Sequence, residues 1–178
     1  MISTQILILS SIIATIMGTH HAENKGKDGI SYDITHHLID DLDINPWLVD
    51  LLTTVPFIYM MIFHFQIVPR FLRLYAFVMI IRSFTISCTV HPVAIKKKRI
   101  WNNRPHHDLN FSGHTCFIIL SILCICSHGN SNATFWVMYA LMVLICIISN
   151  RQHYTSDVLT ALYISLSTHL LHSYKLFI

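Results

Sequence analysis

Charge is what this chain has least of. Only 12% of its 178 residues are Asp, Glu, Lys or Arg, whereas 53% are hydrophobic, and the mean hydropathy is +0.54. A soluble domain of this length needs far more polar surface, so the composition points to an integral membrane protein. Five glycines and five prolines are too few for a low-complexity or fibrous chain. The net charge is only +3 and the basic residues are clustered rather than spread over a face, which excludes a nucleic-acid binder. Cys88, Cys116, Cys124, Cys126 and Cys146 all lie in apolar runs. An odd number so placed reads as small buried hydrophobes and not as a disulfide framework. Internal repeats and strand-like alternation are both lacking.

What is present is a succession of apolar runs, each close to the about 20 residues that cross a bilayer as a helix. Six are expected, at about 1–19, 46–68, 71–90, 112–128, 133–149 and 154–174. The first could be a signal peptide, but it has no basic leading region and no A-x-A site, so an uncleaved span is expected. The short link "PRFLR" implies an antiparallel hairpin between the second and third runs. The fold class is therefore all-α integral membrane, a six-transmembrane-helix bundle. Residues 1–178 form a single membrane domain, with the catalytic core at about 70–174.

Polar residues stand out against this background. "FSGHT" (Phe111–Thr115) opens the fourth span and "HYTSD" (His153–Asp157) opens the sixth. The chain crosses once and returns between them, so both lie at the same face. Ser112 sits where a helix N-cap belongs, and Gly113 lets a ligand approach the backbone. The free N–H groups and positive dipole end of a helix there suit phosphate. His153 and Asp157 are four apart, hence neighbours on one helical face, where a carboxylate can fix the imidazole tautomer. Arg82, midway along the third span, is costly at membrane depth and is expected to face the bundle interior. Its guanidinium could clamp phosphate bidentately, or pair structurally with Asp50. Arg151 could hold phosphate or anchor the end of a span. The "KKKR" stretch suits lipid headgroups or topology. Lys97 through Pro105 spell K-x6-R-P, but so close to "SGHT" that coincidence is the expected reading.

Taken together, "RSFTISCTVHP", "HDLNFSGHT" and "HYTSDVLTALYI" resemble the sphingomyelin synthase family, the sphingolipid-synthase branch of the lipid phosphate phosphatase superfamily. The family's fourth-span motif is matched by Asp108, Ser112, Gly113, His114 and Thr115. Its sixth-span motif is matched by His153, Tyr154, Thr155, Asp157 and Val158, and its third-span motif by Arg82, Thr85, Thr89 and Pro92. His106 and His107 stand where the family has Cys-Gly, and the acidic "SYDITHHLIDDLD" loosely resembles its first-loop motif. The resemblance implies a transferase that moves a phospho-headgroup from a glycerophospholipid donor to a ceramide acceptor, without metal or cofactor. His114, His153 and Asp157 would be catalytic; Arg82, Asp108, Ser112, Gly113, Arg151 and Tyr154 would bind substrate. Two steps through a phosphohistidine on His153 are expected, with His114 as acid and then base. With water as acceptor the same groups would make a lipid phosphatase or phospholipase.

Thirteen histidines also raise a metal-dependent oxidase or a metal transporter. Repeated H-x-x-H-H boxes are lacking, and H-x-x-H occurs only at His169–His172. Topology is contested. The presumptive catalytic side carries Lys25, Lys27, Lys96, Lys97, Lys98, Arg99, Arg104 and Arg151, the other only Arg70, Arg73 and Lys175. The positive-inside rule puts the former in the cytosol. The resemblance implies a lumenal or exoplasmic site in a Golgi, endoplasmic-reticulum or plasma membrane, with both termini cytosolic, and that reading is preferred here. Asn132, in "NAT", could carry a glycan only if its loop were lumenal.

Overall fold

The computed structural model describes residues 4–25, 33, 35, 38–39, 42–88, 111–129, 132–150 and 152–174. Among them the regular structure is helical, with no strand. The helices are α1 (Thr4–Lys25), α2 (Pro46–Phe63), a 3₁₀ turn (Phe65–Ile67), α3 (Val68–Cys88), α4 (Gly113–Ser127), α5 (Ala133–Ser149) and α6 (Thr155–Ser173). The expected order and number of helices therefore hold. Three bounds shift. The first helix runs on to Lys25, beyond the apolar run. The expected second span is cut at Phe63, where His64 leaves helical geometry. Pro69 and Arg70 lie inside the first turn of α3, not in the linker, because a proline there removes only an N–H that has no intrahelical partner anyway.

Local chemistry explains the ends. Asn45 caps α2 by accepting Trp47 N–H at 3.0 Å, with Pro46 as the first helical residue. Gly129, at φ +87°, follows the end of α4 in the left-handed region that stops a helix. Asn132 starts α5 by accepting Phe135 N–H at 3.1 Å. Inside α2, Pro56 has no N–H for the carbonyl of Leu52. Tyr139 of α5 supplies the missing donor, its hydroxyl 2.7 Å from Leu52 O. A buried backbone acceptor is thus satisfied between helices, which matters most where water is excluded.

The core lies between α2, α3, α4, α5 and α6, the last contributing Val158 and Ala161. Phe57, Phe71, Tyr75 and Phe117 form one aromatic cluster, with ring centroids 5.1–5.6 Å apart. Val49, Met60, Val78, Ile118, Ile125 and Val143 are fully buried around it. On the other side α1 packs along α3. A Cβ on Gly18 would come within 2.9 Å of Ser83 O, so only glycine permits that approach.

Outward faces are apolar too. Ile12, Ile13 and Ile16 of α1, Ile58 and Ile62 of α2, Leu141 and Ile145 of α5, and Leu159 of α6 are exposed. Two stretches are long and apolar enough to cross a membrane, Pro46–Phe63 and Phe65–Cys88, while Thr4–Gly18, Gly113–Ser127 and Ala133–Ser149 are shorter apolar helices. The five cysteines are free thiols; Cys116 and Cys124 are buried as expected, but Cys88 is exposed near the end of α3.

Candidate active site

The two polar motifs meet at one end of the bundle, where α4 and α6 begin. Ser112 is the N-cap of α4, its hydroxyl accepting Thr115 N–H at 3.2 Å. Its own N–H donates to the carbonyl oxygen of Asp157 at 3.2 Å, which ties the start of one helix to the first turn of the other. Arg82, buried in α3, donates from Nε to Phe111 O at 3.1 Å. A Cβ on Gly113 would lie 3.7 Å from that Nε. The guanidinium is therefore held inside the bundle beside the opening turn of α4.

His153 and Asp157 are paired, but not along a helical face as their spacing suggests. α6 starts only at Thr155, and Tyr154 is its extended N-cap, with φ −72° and ψ 156°. His153 lies before the helix. Asp157, the third residue of α6, reaches back over the N-terminus: its Oδ2 accepts Tyr154 N–H at 3.1 Å and sits 3.3 Å from His153 Nδ1. This is half of a capping box, and it places the carboxylate against unsatisfied backbone donors and the positive end of the helix. Asp157 is fully buried and His153 is 6% exposed. A carboxylate cannot donate, so Nδ1 carries the proton and Nε2 is the basic nitrogen of the ring.

His114, on the first turn of α4, faces this pair with ring centroids 6.0 Å apart. Its Nε2 lies 2.8 Å from Oδ1 of Asp50 on α2. Asp50, suggested by the sequence as a structural partner for Arg82, is thus a carboxylate partner of the second histidine. By the same logic His114 Nε2 carries a proton and Nδ1 is the remaining basic nitrogen. The two dyads differ in setting. The side chains of His114 and Asp50 are 23% and 50% exposed, whereas those of His153 and Asp157 are 7% and 0%.

Sequence reasoning missed one further acid. Asp33 comes from the polar loop between α1 and α2 to the start of α6. Its Oδ2 accepts Thr155 N–H at 2.6 Å and its Oδ1 accepts the Thr155 hydroxyl at 2.8 Å. Thr35 adds its N–H and hydroxyl to the same Oδ1, at 2.9 and 2.7 Å. Burial pushes the Asp33 carboxyl upward, but the hydrogen bonds from both threonines outweigh it and hold the group well below the usual carboxylate range. The only sequence signal was the acidic character of "SYDITHHLIDDLD". Asp108 and Arg151 lie outside the described residues, as do Thr89, Pro92 and the "KKKR" stretch. Tyr154 is buried and contributes its backbone N–H to Asp157. Among the described residues no group of three or more His, Cys, Asp and Glu side chains is placed to hold a metal ion.

Comparison with known proteins places this arrangement. Residues 107–174, which contain both histidines and Asp157, match the family described as PAP2 superfamily C-terminal. The chain is also similar to the phosphatidylinositol:ceramide inositolphosphotransferase of Leishmania major, at 29% identity over 56% of this chain and 37% of that protein. The chain thus matches little more than a third of that relative's length. These likenesses bear out the resemblance to a sphingomyelin synthase-like family read from the motifs. No solved structure matches.

Proposed function

We propose that this chain is a membrane-embedded lipid phosphotransferase that moves a phospho-headgroup from a glycerophospholipid to ceramide. The observation that carries it is the buried His153–Asp157 pair facing His114 across 6.0 Å, at the joined N-termini of two helices. The relative's name supports ceramide as acceptor and a phospholipid as donor. Six spans are proposed, with the three shorter apolar helices and α6 crossing beside the two long ones. The exposed apolar faces of α1, α2, α5 and α6 would then meet acyl chains, since a soluble monomer seldom leaves so much apolar surface uncovered. A lumenal or exoplasmic active site, both termini cytosolic, and a catalytic core at about 70–174 belong to the same proposal.

In the first step His153 Nε2 attacks the phosphodiester phosphorus. The bond from phosphorus to the diacylglycerol oxygen breaks, and imidazolium His114 gives that oxygen its proton. Asp157 steadies the charge that develops on His153. Headgroup phosphate is now on His153 and His114 is neutral. In the second step the primary hydroxyl of ceramide gives its proton to His114 and attacks phosphorus, the phosphorus–nitrogen bond breaks, and His153 is restored. Arg82 and the first turn of α4, with Ser112 and Gly113, would hold the phosphate oxygens, joined by Arg151, while Asp108 and Tyr154 would contact other parts of the substrate. No step calls for a metal.

Water is the competing acceptor, and the part-exposed His114–Asp50 pair is where it would enter. The test is expression in sphingolipid-free vesicles with labelled ceramide and choline, ethanolamine or inositol phospholipids as donors. A labelled phosphosphingolipid formed in chelator supports the reading. Release of the free phospho-headgroup alone would make the protein a hydrolase. With headgroup-labelled donor and an alkaline quench, label should stay on the wild type and on His114→Ala, but not on His153→Ala. Label retained by His153→Ala overturns the assignment of the nucleophile.

A further inference from the structure

The segment between α1 and α2 carries a carboxylate, Asp33, that bonds to the opening residue of α6. We propose that Asp33 is a positioning residue for the His153–Asp157 pair, clamping the first turn of α6 through Thr155 without touching substrate. The inference rests on the phosphotransfer reading above.

The geometry is specific. Thr155 is the first residue of α6, so its N–H is one of the four at the helix start with no intrahelical acceptor. The N-cap position is ordinarily filled by Ser, Thr, Asp or Asn, whose short side chains accept such bonds, but here it is Tyr154. The task is divided between two carboxylates. Asp157 takes Tyr154 N–H from within the helix, and Asp33 takes Thr155 N–H from another part of the chain. His153 immediately precedes these two backbone positions. Holding both N–H groups fixes the path of the chain that presents the imidazole, and a nucleophile displaced by about 1 Å loses on the order of 10²-fold in rate.

Asparagine is a poor replacement for the same reason. Asp33 offers two acceptor oxygens to the N–H groups and hydroxyls of Thr35 and Thr155, and the two hydroxyls also bond to each other. An amide keeps one oxygen and turns an NH₂ toward one of the backbone N–H groups, whichever way it is flipped. Nor is the clamp a pH switch at ordinary pH. A carboxyl whose folded pKa is depressed contributes stability above its unfolded value of about 3.9, and loses it only as pH falls below that.

The test uses two readouts on the whole protein in vesicles, for wild type, Asp33→Asn and Asp33→Ala. Hydrogen exchange of the peptide spanning 152–158 reports the clamp whether or not the protein transfers headgroups. Turnover and KM in headgroup transfer report positioning. Exchange should speed up in both variants. Turnover should fall about 10- to 100-fold in Asp33→Ala, less in Asp33→Asn, with KM for both lipids changed by under about threefold. A double-mutant cycle with Thr155→Val should be non-additive in turnover, which a merely global loss of stability would not produce. Unchanged exchange at 152–158 removes the clamp. Faster exchange with unchanged turnover per folded protein reduces Asp33 to a structural cap and overturns the proposal. A wild type that neither transfers nor hydrolyses overturns the phosphotransfer reading, and the positioning role with it, while exchange still decides whether the clamp exists.

Discussion

The two ends of the bundle hold histidines in opposite ways. At one end α4 and α6 begin, and the charged partners are carboxylates: Asp157 on His153, Asp50 on His114, and Asp33 on the first N–H of α6. At the other end the same helices finish, and the partner is a cation. Arg70 donates to the Ser127 hydroxyl at 3.4 Å and the Ser173 hydroxyl at 3.1 Å, with His169 Nε2 at 3.3 Å. Each arrangement complements its helix dipoles, negative groups at N-termini and a positive group at C-termini. The chemical consequence differs. Arginine has no acceptor, so His169 Nε2 must spend its lone pair on Arg70. A carboxylate can only accept, so His153 donates from Nδ1 and its basic nitrogen is Nε2. The identity of the partner, not the presence of an imidazole, separates the nucleophile proposed at His153 from a strut. Thirteen histidines in the sequence therefore say little until their partners are known.

The largest effect should come from reversing that assignment at the site. Asp157 serves Tyr154 N–H and His153 Nδ1 with the same oxygen, Oδ2. Asp157→Asn therefore either keeps both bonds without the negative charge that steadies His153 or, flipped, turns its NH₂ on both and invites the imidazole to accept at Nδ1 and carry its proton on Nε2. Transfer should fall by about 10³- to 10⁴-fold with helix content preserved. His169→Ala, at the other end, should stay within about threefold of wild type. Equal losses in the two variants, measured as turnover in the vesicle assay with circular dichroism as the fold control, would break the comparison.

A smaller effect is expected at Arg82, which shares a helix with Arg70 but lies at the site end. Its Nε holds Phe111 O just before α4 and lies 3.7 Å from where a Cβ on Gly113 would be. Lysine can replace neither the backbone contact nor bidentate binding of phosphate. Arg82→Lys should therefore cost nearly as much turnover as Arg82→Ala, about 10²-fold. A lysine variant close to wild type would reduce Arg82 to a charge.

The contrast also shows what the sequence could and could not tell. Helices α4, α5 and α6 were legible to within a residue, because their starts carry side-chain signals (Ser112, Asn132, the "HYTSD" turn) and their interiors are free of Lys, Arg and Glu. α2 was drawn too long, since nothing in "MIFHFQIV" announces that His64 leaves the helix. The pairing of His153 with Asp157 was read from an i, i+4 spacing, yet the spacing works for another reason: an N3 carboxylate folding back over a helix start reaches the residue before the N-cap. Contacts between distant segments were out of reach. Asp33 with Thr155 and Asp50 with His114 join positions 122 and 64 residues apart, and no periodicity encodes which acid of an acidic loop will land on which helix.

The smallest effect, and the one that sharpens the comparison most, belongs to Arg70. It bridges the end of α4 through Ser127 and the end of α6 through His169 and Ser173, from the first turn of α3. The contacts to Ser127 and His169 are long, and the charge sits where two helices present their unsatisfied carbonyl ends. Arg70→Met removes the hydrogen bonds and the favourable dipole interaction while keeping much of the aliphatic stem. The loss should be about 1–2 kcal/mol of stability, seen as a lower melting temperature in detergent. Arg70→Lys should recover part of it, because a point charge still complements the dipoles but cannot reach three partners at once. Turnover per folded protein should stay within about twofold in both, since no reacting group lies at this end. A folded Arg70→Met protein that had lost turnover would mean the two ends are coupled, and that the arginine end takes part in the reaction instead of only closing the bundle.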